Sequence, residues 1–171
     1  MQYEGLLYRA LNPVYAPTPY SGRGAALYGG RFNPKGQAAL YTSLSPSTAI
    51  RESNQVGTLQ PTTLVAYQAS LDPVFDGRDP AQLAAYGLTL PDMATDAWRD
   101  LAREPGGAPT QCLATALIAA GYVGLLVPSF ARGASPKDSN LVLWKWGNTP
   151  VARLRLIDDQ KRLGNQAPPA P

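Results

Sequence analysis

Three side chains between Tyr28 and Ser53 are of types that could act together on one ligand. Arg31 follows two glycines in a tight loop, Tyr41 lies in a short strand-like segment, and Glu52 lies in a helical segment. A guanidinium binds two phosphate oxygens at once, a tyrosine ring stacks on a base, and a carboxylate stabilises a positively charged sugar. The set therefore suits a ligand that contains a phosphate, a ring and a sugar.

Each of these residues also has a purely structural interpretation. Arg31 could be an incidental arginine in a surface turn, and Tyr41 could fill the core, where most strand tyrosines lie. Glu52 shares a helical face with Thr48 and Ala49, which turns its carboxylate toward the interior or a cleft. From helix geometry alone, the favoured interpretation is a buried glutamate satisfied by one arginine or by backbone donors.

The residues on either side of Glu52 do not share its face. Successive helical residues point about 100° apart, so Arg51 aligns with Ser47 on a polar face. We therefore predict that Arg51 is exposed to solvent and that the literal triplet Arg51-Glu52-Ser53 is not a functional set.

The composition excludes several kinds of catalysis. The 171 residues include no histidine, which rules out Ser-His-Asp and Cys-His catalysis and histidine-ligated zinc or iron. The one cysteine, Cys112, excludes an intramolecular disulfide and a cysteine zinc cluster. Acidic residues in the run DPVFDGRDP lack the spacing of a calcium loop, so we interpret this run as a turn-rich connection. No metal site is predicted.

The charge and hydropathy patterns set expectations about partners and location. The net charge of +3 is spread without a long basic run, so direct nucleic-acid binding is not predicted. The N-terminus MQYEGLLYRA has no charged signal-peptide region, and no window is apolar enough to cross a bilayer. We expect a cytoplasmic protein without membrane contact.

The elements that must position these residues form one predicted α+β domain at 1–160, followed by a flexible tail at 161–171. Strands are predicted at 5–10, 39–43, 63–71, 122–127, 141–146 and 152–157, with 63–71 central and largely buried. Helices are predicted at 46–55, with Ser45 as N-cap, at 80–86 and 92–103, and from a Thr110 cap to Gly121. Residues 129–140 are predicted to form a loop.

The ordered set of motifs resembles the RES-domain family, the toxin half of bacterial toxin–antitoxin pairs. The central motifs are G-R-F-N-x-x-G, then L-Y-T-S, then T-A-x-x-E. They are preceded by Leu7-Tyr8-Arg9 and followed by AAGYVG, VPS and SNLVL, so the resemblance covers roughly residues 5 to 157. Phe32 stands where the family more often has tryptophan.

The resemblance implies an ADP-ribosyltransferase-like fold with mixed β-sheets and flanking helices, and an enzyme that consumes NAD+ as its substrate. It implies catalytic roles for Arg31, Glu52 and Ser129, the residues that match the arginine, glutamate and serine of the family name. It also implies that five residues contact the ligand: Arg9, Arg31, Asn33, Tyr41 and Ser129. Implied partners are a cognate Xre-like antitoxin and a protein target for ADP-ribosylation.

The acceptor of the ADP-ribose is open at the level of sequence. A protein side chain gives ADP-ribosyl transfer, which we place first; water gives NAD+ hydrolysis, and phosphate gives phosphorolysis. A different alternative is a non-catalytic nucleotide- or partner-binding domain in which Arg31 and Glu52 form an internal salt bridge.

Overall fold

The computed structural model of the chain describes residues 1–54 and 58–163. Within these residues lie seven strands: β1 Tyr3–Leu11, β2 Leu40–Ser43, β3 Thr63–Leu71, β4 Val74–Asp76, β5 Gly124–Pro128, β6 Ser139–Leu143 and β7 Ala152–Leu156. The same residues form six α-helices: α1 Arg23–Tyr28, α2 Pro46–Ser53, α3 Pro80–Ala84, α4 Leu90–Ala94, α5 Trp98–Leu101 and α6 Pro109–Ala119. The predicted α+β class is confirmed.

The strands form one mixed sheet in the order β4-β5-β6-β2-β1-β3-β7. Only the β4–β5 pair among these described strands is parallel. Strand β1 pairs with β3 along its whole length, whereas its pairing with β2 is limited to Tyr8 opposite Ser43. Beside this single pairing, residues of β1 and β2 line a common cleft.

Two hydrophobic cores hold the curled sheet together. Alternate residues of β5 face opposite cores: Leu126 packs with Leu7 and Tyr67 from the β1-β3-β7 half, whereas Leu125 packs with Met93 and Leu117 from the helices. Strand β5 is therefore buried on both faces, which explains its uninterrupted apolar sequence. By contrast, β3 lies inside the sheet between β1 and β7, as predicted for 63–71, but it buries one face only, so the expectation of a largely buried strand is wrong.

Helix α2 begins where the sequence predicts. The Ser45 hydroxyl accepts a hydrogen bond from the Thr48 amide at 3.1 Å, and Pro46 occupies the first turn. The helix ends at Ser53; the predicted end near residue 55 lies outside the described residues.

Helix α6 also ends as predicted. Gly121 follows its C-cap with a φ of +89°, a conformation that favours glycine. The predicted cap at its start is wrong, because Ala108 is the N-cap and Pro109 opens the helix, so Thr110 lies inside the first turn.

Three other predictions for secondary structure are corrected. The single helix predicted at 92–103 is two short helices, α4 and α5, because Thr95 has extended backbone angles. The run DPVFDGRDP contains strand β4, whose residues pair with β5 rather than with a sequence neighbour. The predicted loop at 129–140 ends earlier, since β6 begins at Ser139, and that strand stops at Leu143.

The start of the predicted tail is held in place. The Asp158 carboxylate accepts hydrogen bonds from the backbone amides of Arg162 and Leu163, at 2.8 and 2.9 Å. Residues 161–163 therefore belong to the fold, and residues 164–171 lie outside the described part of the chain. No helix among the described residues is long and apolar enough to span a membrane.

Candidate active site in the cleft between β1 and β2

The cleft where β1 and β2 separate encloses a cavity of about 250 Å³. Strand β1 contributes Tyr8 and Arg9, β2 contributes Tyr41, α2 contributes Glu52, and β6 contributes Asn140. Helix α2 packs over β1 beside the cleft, which places the Glu52 side chain in its wall. Side chains from four elements thus line one space.

Two neutral donors meet on one oxygen of Glu52. The Ser129 hydroxyl and the Asn140 side-chain amide both donate to Oε1 of Glu52, each at 2.5 Å. Asn140 is itself oriented by Ser43, whose hydroxyl donates to its Oδ1 at 2.7 Å. Hydrogen bonds from neutral groups fix the carboxylate in place without cancelling its negative charge.

The Arg31 side chain is largely buried and lies above an aromatic ring. Its guanidinium carbon is 5.0 Å from the centre of the Phe130 ring, Nη1 donates to the Met93 carbonyl at 3.0 Å, and Nη2 lies 3.3 Å from Asp96. Burial lowers the pKa of Arg31, while the carboxylates of Asp96 and Glu52 act in the opposite direction. A partly desolvated guanidinium in this position gains free energy when an anion binds.

The carboxylate that pairs with Arg31 is that of Asp96, not that of Glu52. The internal Arg31–Glu52 salt bridge of the non-catalytic alternative is therefore wrong for this structure. Asp96 does not block a ligand from reaching Arg31, because the Asp96 side chain is 99% exposed. An exposed pair of this kind is weak and can be exchanged for a better anion.

Tyr41 anchors the loop that carries Arg31. Its hydroxyl donates to Asn33 Oδ1 at 2.7 Å and accepts from the Phe32 amide at 3.1 Å. Burial of the hydroxyl raises the pKa of Tyr41. The residue as a whole is nevertheless 36% exposed and lines the cleft, so its ring faces the cavity while its hydroxyl holds the loop.

Asn33, a predicted ligand contact, has a different role here. Its side chain is fully buried, and its Nδ2 donates to the carbonyls of Ala25 and Gln37, both at 2.9 Å. Together with the bond from Tyr41, these contacts occupy the whole amide. Asn33 therefore shapes the Arg31 loop instead of reaching the cavity.

Gly30 is required by the same packing. A Cβ at this position would lie 2.3 Å from the Tyr41 hydroxyl oxygen and 2.6 Å from Asn33 Oδ1. Only glycine allows the backbone before Arg31 to lie against the two side chains that anchor it.

Arg9 lines the cleft, and its guanidinium is also used in the fold. Nη1 donates to the carbonyls of Pro19 and Ser21, at 3.0 and 3.1 Å, and burial lowers its pKa. These contacts hold the long loop after β1 against the sheet. Arg9 therefore shapes the cleft wall and adds positive charge behind it.

Sequence reasoning missed Asn140 at the site and misjudged Arg51. Asn140 lies in a motif of the family resemblance, yet its contact with Glu52 depends on the pairing of Ser43 with Asn140 between β2 and β6. Arg51 is not simply exposed to solvent, because its Nη1 lies 2.8 Å from the carboxylate of Asp138. Helix geometry alone does not reveal a partner on a distant loop.

Comparisons with known proteins relate the chain to one family and one fold. The family model of the RES domain matches residues 6–164. A relative from Yersinia enterocolitica, named Toxin Res, is 32% identical over 139 residues, which cover 81% of this chain and 82% of that protein. The crystal structure of the M. tuberculosis MbcT–MbcA toxin–antitoxin complex contains a similar fold, with a TM-score of 0.68, 22% identity, and coverage of 92% of this chain and 84% of the matched chain.

Proposed function

The chain belongs to the RES-domain family, and from this membership and the geometry of the cleft we propose that it is the toxin of a bacterial toxin–antitoxin pair and acts on NAD+. The observation that carries the proposal is the Glu52 carboxylate in the cleft wall, oriented by Ser129 and Asn140. Arg31 supplies positive charge within electrostatic range of that carboxylate.

The proposed reaction breaks the bond between C1′ of the ribose and the nicotinamide nitrogen. Both bonding electrons go to nicotinamide, which leaves as a neutral molecule and needs no strong general acid. The absence of histidine is therefore no obstacle. The ribose becomes oxocarbenium-like, and the negative charge of Glu52 stabilises this transition state more than the ground state. The acceptor then donates an electron pair to C1′ and loses a proton.

The size of the cavity suits one half of the dinucleotide. A volume of about 250 Å³ lies below the roughly 300–1,000 Å³ of pockets that enclose drug-sized ligands. We assign this space to nicotinamide and its ribose, with the Tyr41 ring packed on the nicotinamide side. The pyrophosphate extends toward Arg31, where it replaces Asp96 as the partner of the guanidinium.

The acceptor separates the possible reactions. We propose transfer of ADP-ribose to a protein target first, with NAD+ hydrolysis as the close alternative and phosphorolysis as the third. Incubating the purified chain with labelled NAD+ and a bacterial lysate, followed by mass measurement, distinguishes them. Label on a protein identifies transfer, free ADP-ribose identifies hydrolysis, and phosphorylated ADP-ribose identifies phosphorolysis.

Expression in bacteria tests the biological role, which we place in the cytoplasm, where cellular NAD+ is available. The proposal predicts that the wild-type chain arrests growth and depletes or redirects NAD+, and that a cognate Xre-like antitoxin rescues the cells. A harmless wild-type chain with intact cellular NAD+ favours a non-catalytic binding domain instead.

A further inference from the structure

We infer that Asp138 and Arg51 form a clamp that holds Ser129 against Glu52, so that both are positioning residues of the candidate site. The inference rests on the proposed function, because it assigns these residues to the same NAD+ site. Neither of them is among the described residues that line the cleft, so their effect on a ligand must pass through Glu52 and Ser129.

Asp138 accepts hydrogen bonds from two elements at once. Its Oδ1 accepts from the Thr48 hydroxyl at 2.6 Å, and its Oδ2 accepts from Arg51 Nη1 at 2.8 Å. Oδ2 also accepts from the backbone amide of Ser135 at 2.7 Å. One carboxylate therefore joins helix α2 to the loop that precedes β6.

The two α2 residues in the clamp are close to Glu52 along the helix. Thr48 lies one helical turn before Glu52, on the same face, and is fully buried. Arg51 is the residue directly before Glu52. Movement of the Asp138 carboxylate relative to α2 therefore changes the distance between the loop and the catalytic carboxylate.

The other end of the clamp reaches Ser129 directly. The backbone amide of Ser129 donates to the Asp138 carbonyl at 2.8 Å, which closes the loop at its base. The Ser129 hydroxyl then donates to Glu52. Asp138 thus binds Ser129 through its backbone carbonyl and binds α2 through its side-chain carboxylate. The hydrogen bond between Ser129 and Glu52 lies between these two contacts.

The chemistry of the clamp favours a persistent ion pair. Hydrogen bonds from Thr48 and Ser135, together with the Arg51 charge, hold the pKa of Asp138 well below its usual range. The side chain of Asp138 is largely buried, and the carboxylate remains ionised wherever the protein is folded near neutral pH. Arg51 supplies the charge that such a carboxylate needs.

The test compares nicotinamide release by the wild type, Asp138→Ala, Arg51→Met and Arg51→Lys, with Asp76→Ala as the matched control. Asp76 forms a similar local ion pair with Arg78, at 2.8 Å, and lies at the end of β4 outside the cleft lining. We expect Asp138→Ala to lower kcat by about 10- to 100-fold with KM within about twofold, because a small displacement of catalytic groups costs rate more than binding. Arg51→Lys should retain more activity than Arg51→Met, and Asp76→Ala should match the wild type.

A double-mutant cycle with Ser129→Ala separates positioning from general destabilisation. If Asp138 acts through Ser129, the loss from Asp138→Ala should largely disappear in the Ser129→Ala background. The inference is overturned if the kcat losses of Asp138→Ala and Ser129→Ala multiply fully in the double mutant. It is also overturned if a folded Asp138→Ala variant has the kcat of the Asp76→Ala control. If Asp138→Ala does not fold, Asp138→Asn and Arg51→Met take its place in the cycle.

Hydrogen exchange keeps the clamp testable if the proposed function fails. A wild type that releases no nicotinamide refutes the proposed function, and the Ser129 amide then decides the clamp by itself. Its acceptor is the Asp138 backbone carbonyl, which the substitution leaves in place. Faster exchange of this amide in Asp138→Ala supports the clamp, and unchanged exchange overturns it.

Discussion

Replacement of Tyr41 by phenylalanine separates the two roles of this side chain. The substitution keeps the ring that lines the cleft and removes the hydroxyl that anchors the Arg31 loop. Two groups lose a partner, the Phe32 amide and Asn33 Oδ1, and both residues are buried. Gly30 cannot close the gap, because it carries no side chain.

The expected cost follows from these two groups. A buried polar group that loses its partner costs about 1–3 kcal/mol, which gives about 2–6 kcal/mol for the pair. Because the two groups are neighbours, their costs are not fully additive, and we expect a value of about 2–3 kcal/mol. For a protein of 150–250 residues this corresponds to a decrease in Tm of about 4–12 °C.

Thermal unfolding measures this cost, and NAD+ kinetics measure its consequence for the loop. The matched control is Tyr28→Phe, because Tyr28 is 79% exposed and its substitution should leave Tm within about 1 °C. We also expect Tyr41→Phe to raise the KM for NAD+, since the Arg31 loop loses its tether. A Tm equal to that of the Tyr28→Phe control refutes the assignment of the hydroxyl as an anchor.

Three further predictions concern alkaline pH, Arg31 and Asp96. Burial raises the pKa of Tyr67 to about 12, from about 10 in the unfolded chain, so its contribution to stability is complete below pH 10 and is lost as the pH rises toward 12. This contribution is about 3 kcal/mol. Urea unfolding should show that the free energy of unfolding falls less between pH 9 and pH 11.5 for Tyr67→Phe than for the wild type. Equal decreases in the two proteins contradict this prediction. Arg31→Ala should lower kcat/KM for NAD+ at least as much as Ser129→Ala, because it removes a charged ligand contact. Asp96→Asn should leave Tm and kcat unchanged, and a loss of kcat comparable to that of Arg31→Ala would show that Asp96 itself belongs to the catalytic machinery.

Features encoded by neighbouring residues could be predicted from the sequence. The start of α2 depends on Ser45 and Pro46, and the end of α6 depends on Gly121, so each was recognisable from a few adjacent positions. The α+β class followed from the order of strand-like and helix-like segments.

Features set by contacts between residues distant in the chain could not be predicted from the sequence. Strand β4 forms by pairing with β5, and the two helices at 90–101 replace a single predicted helix because the backbone of Thr95 is extended. Such pairings and breaks depend on tertiary contacts that override local propensity.

The candidate site also combines features encoded by neighbouring residues with features set by distant contacts. Helix geometry turns Glu52 toward the interior or a cleft and Arg51 toward a polar face, but an isolated helix cannot reveal Asp138 as the partner of Arg51. The family resemblance implies a catalytic role for Ser129, but its hydrogen bond to Glu52 is visible only in the folded structure. The position of Asn140 at the site depends on the register between β2 and β6, which only the folded sheet provides.

Nicotinamide release by purified Glu52→Gln tests the central claim most directly. Glutamine keeps nearly the same volume and an oxygen that can accept the bonds from Ser129 and Asn140, so the fold should be retained. Loss of the negative charge should lower kcat for NAD+ on the order of 100-fold or more, because the stabilisation of the oxocarbenium-like transition state is electrostatic. We expect a folded variant without measurable turnover beside an active wild type, and unchanged nicotinamide release from Glu52→Gln would contradict the account.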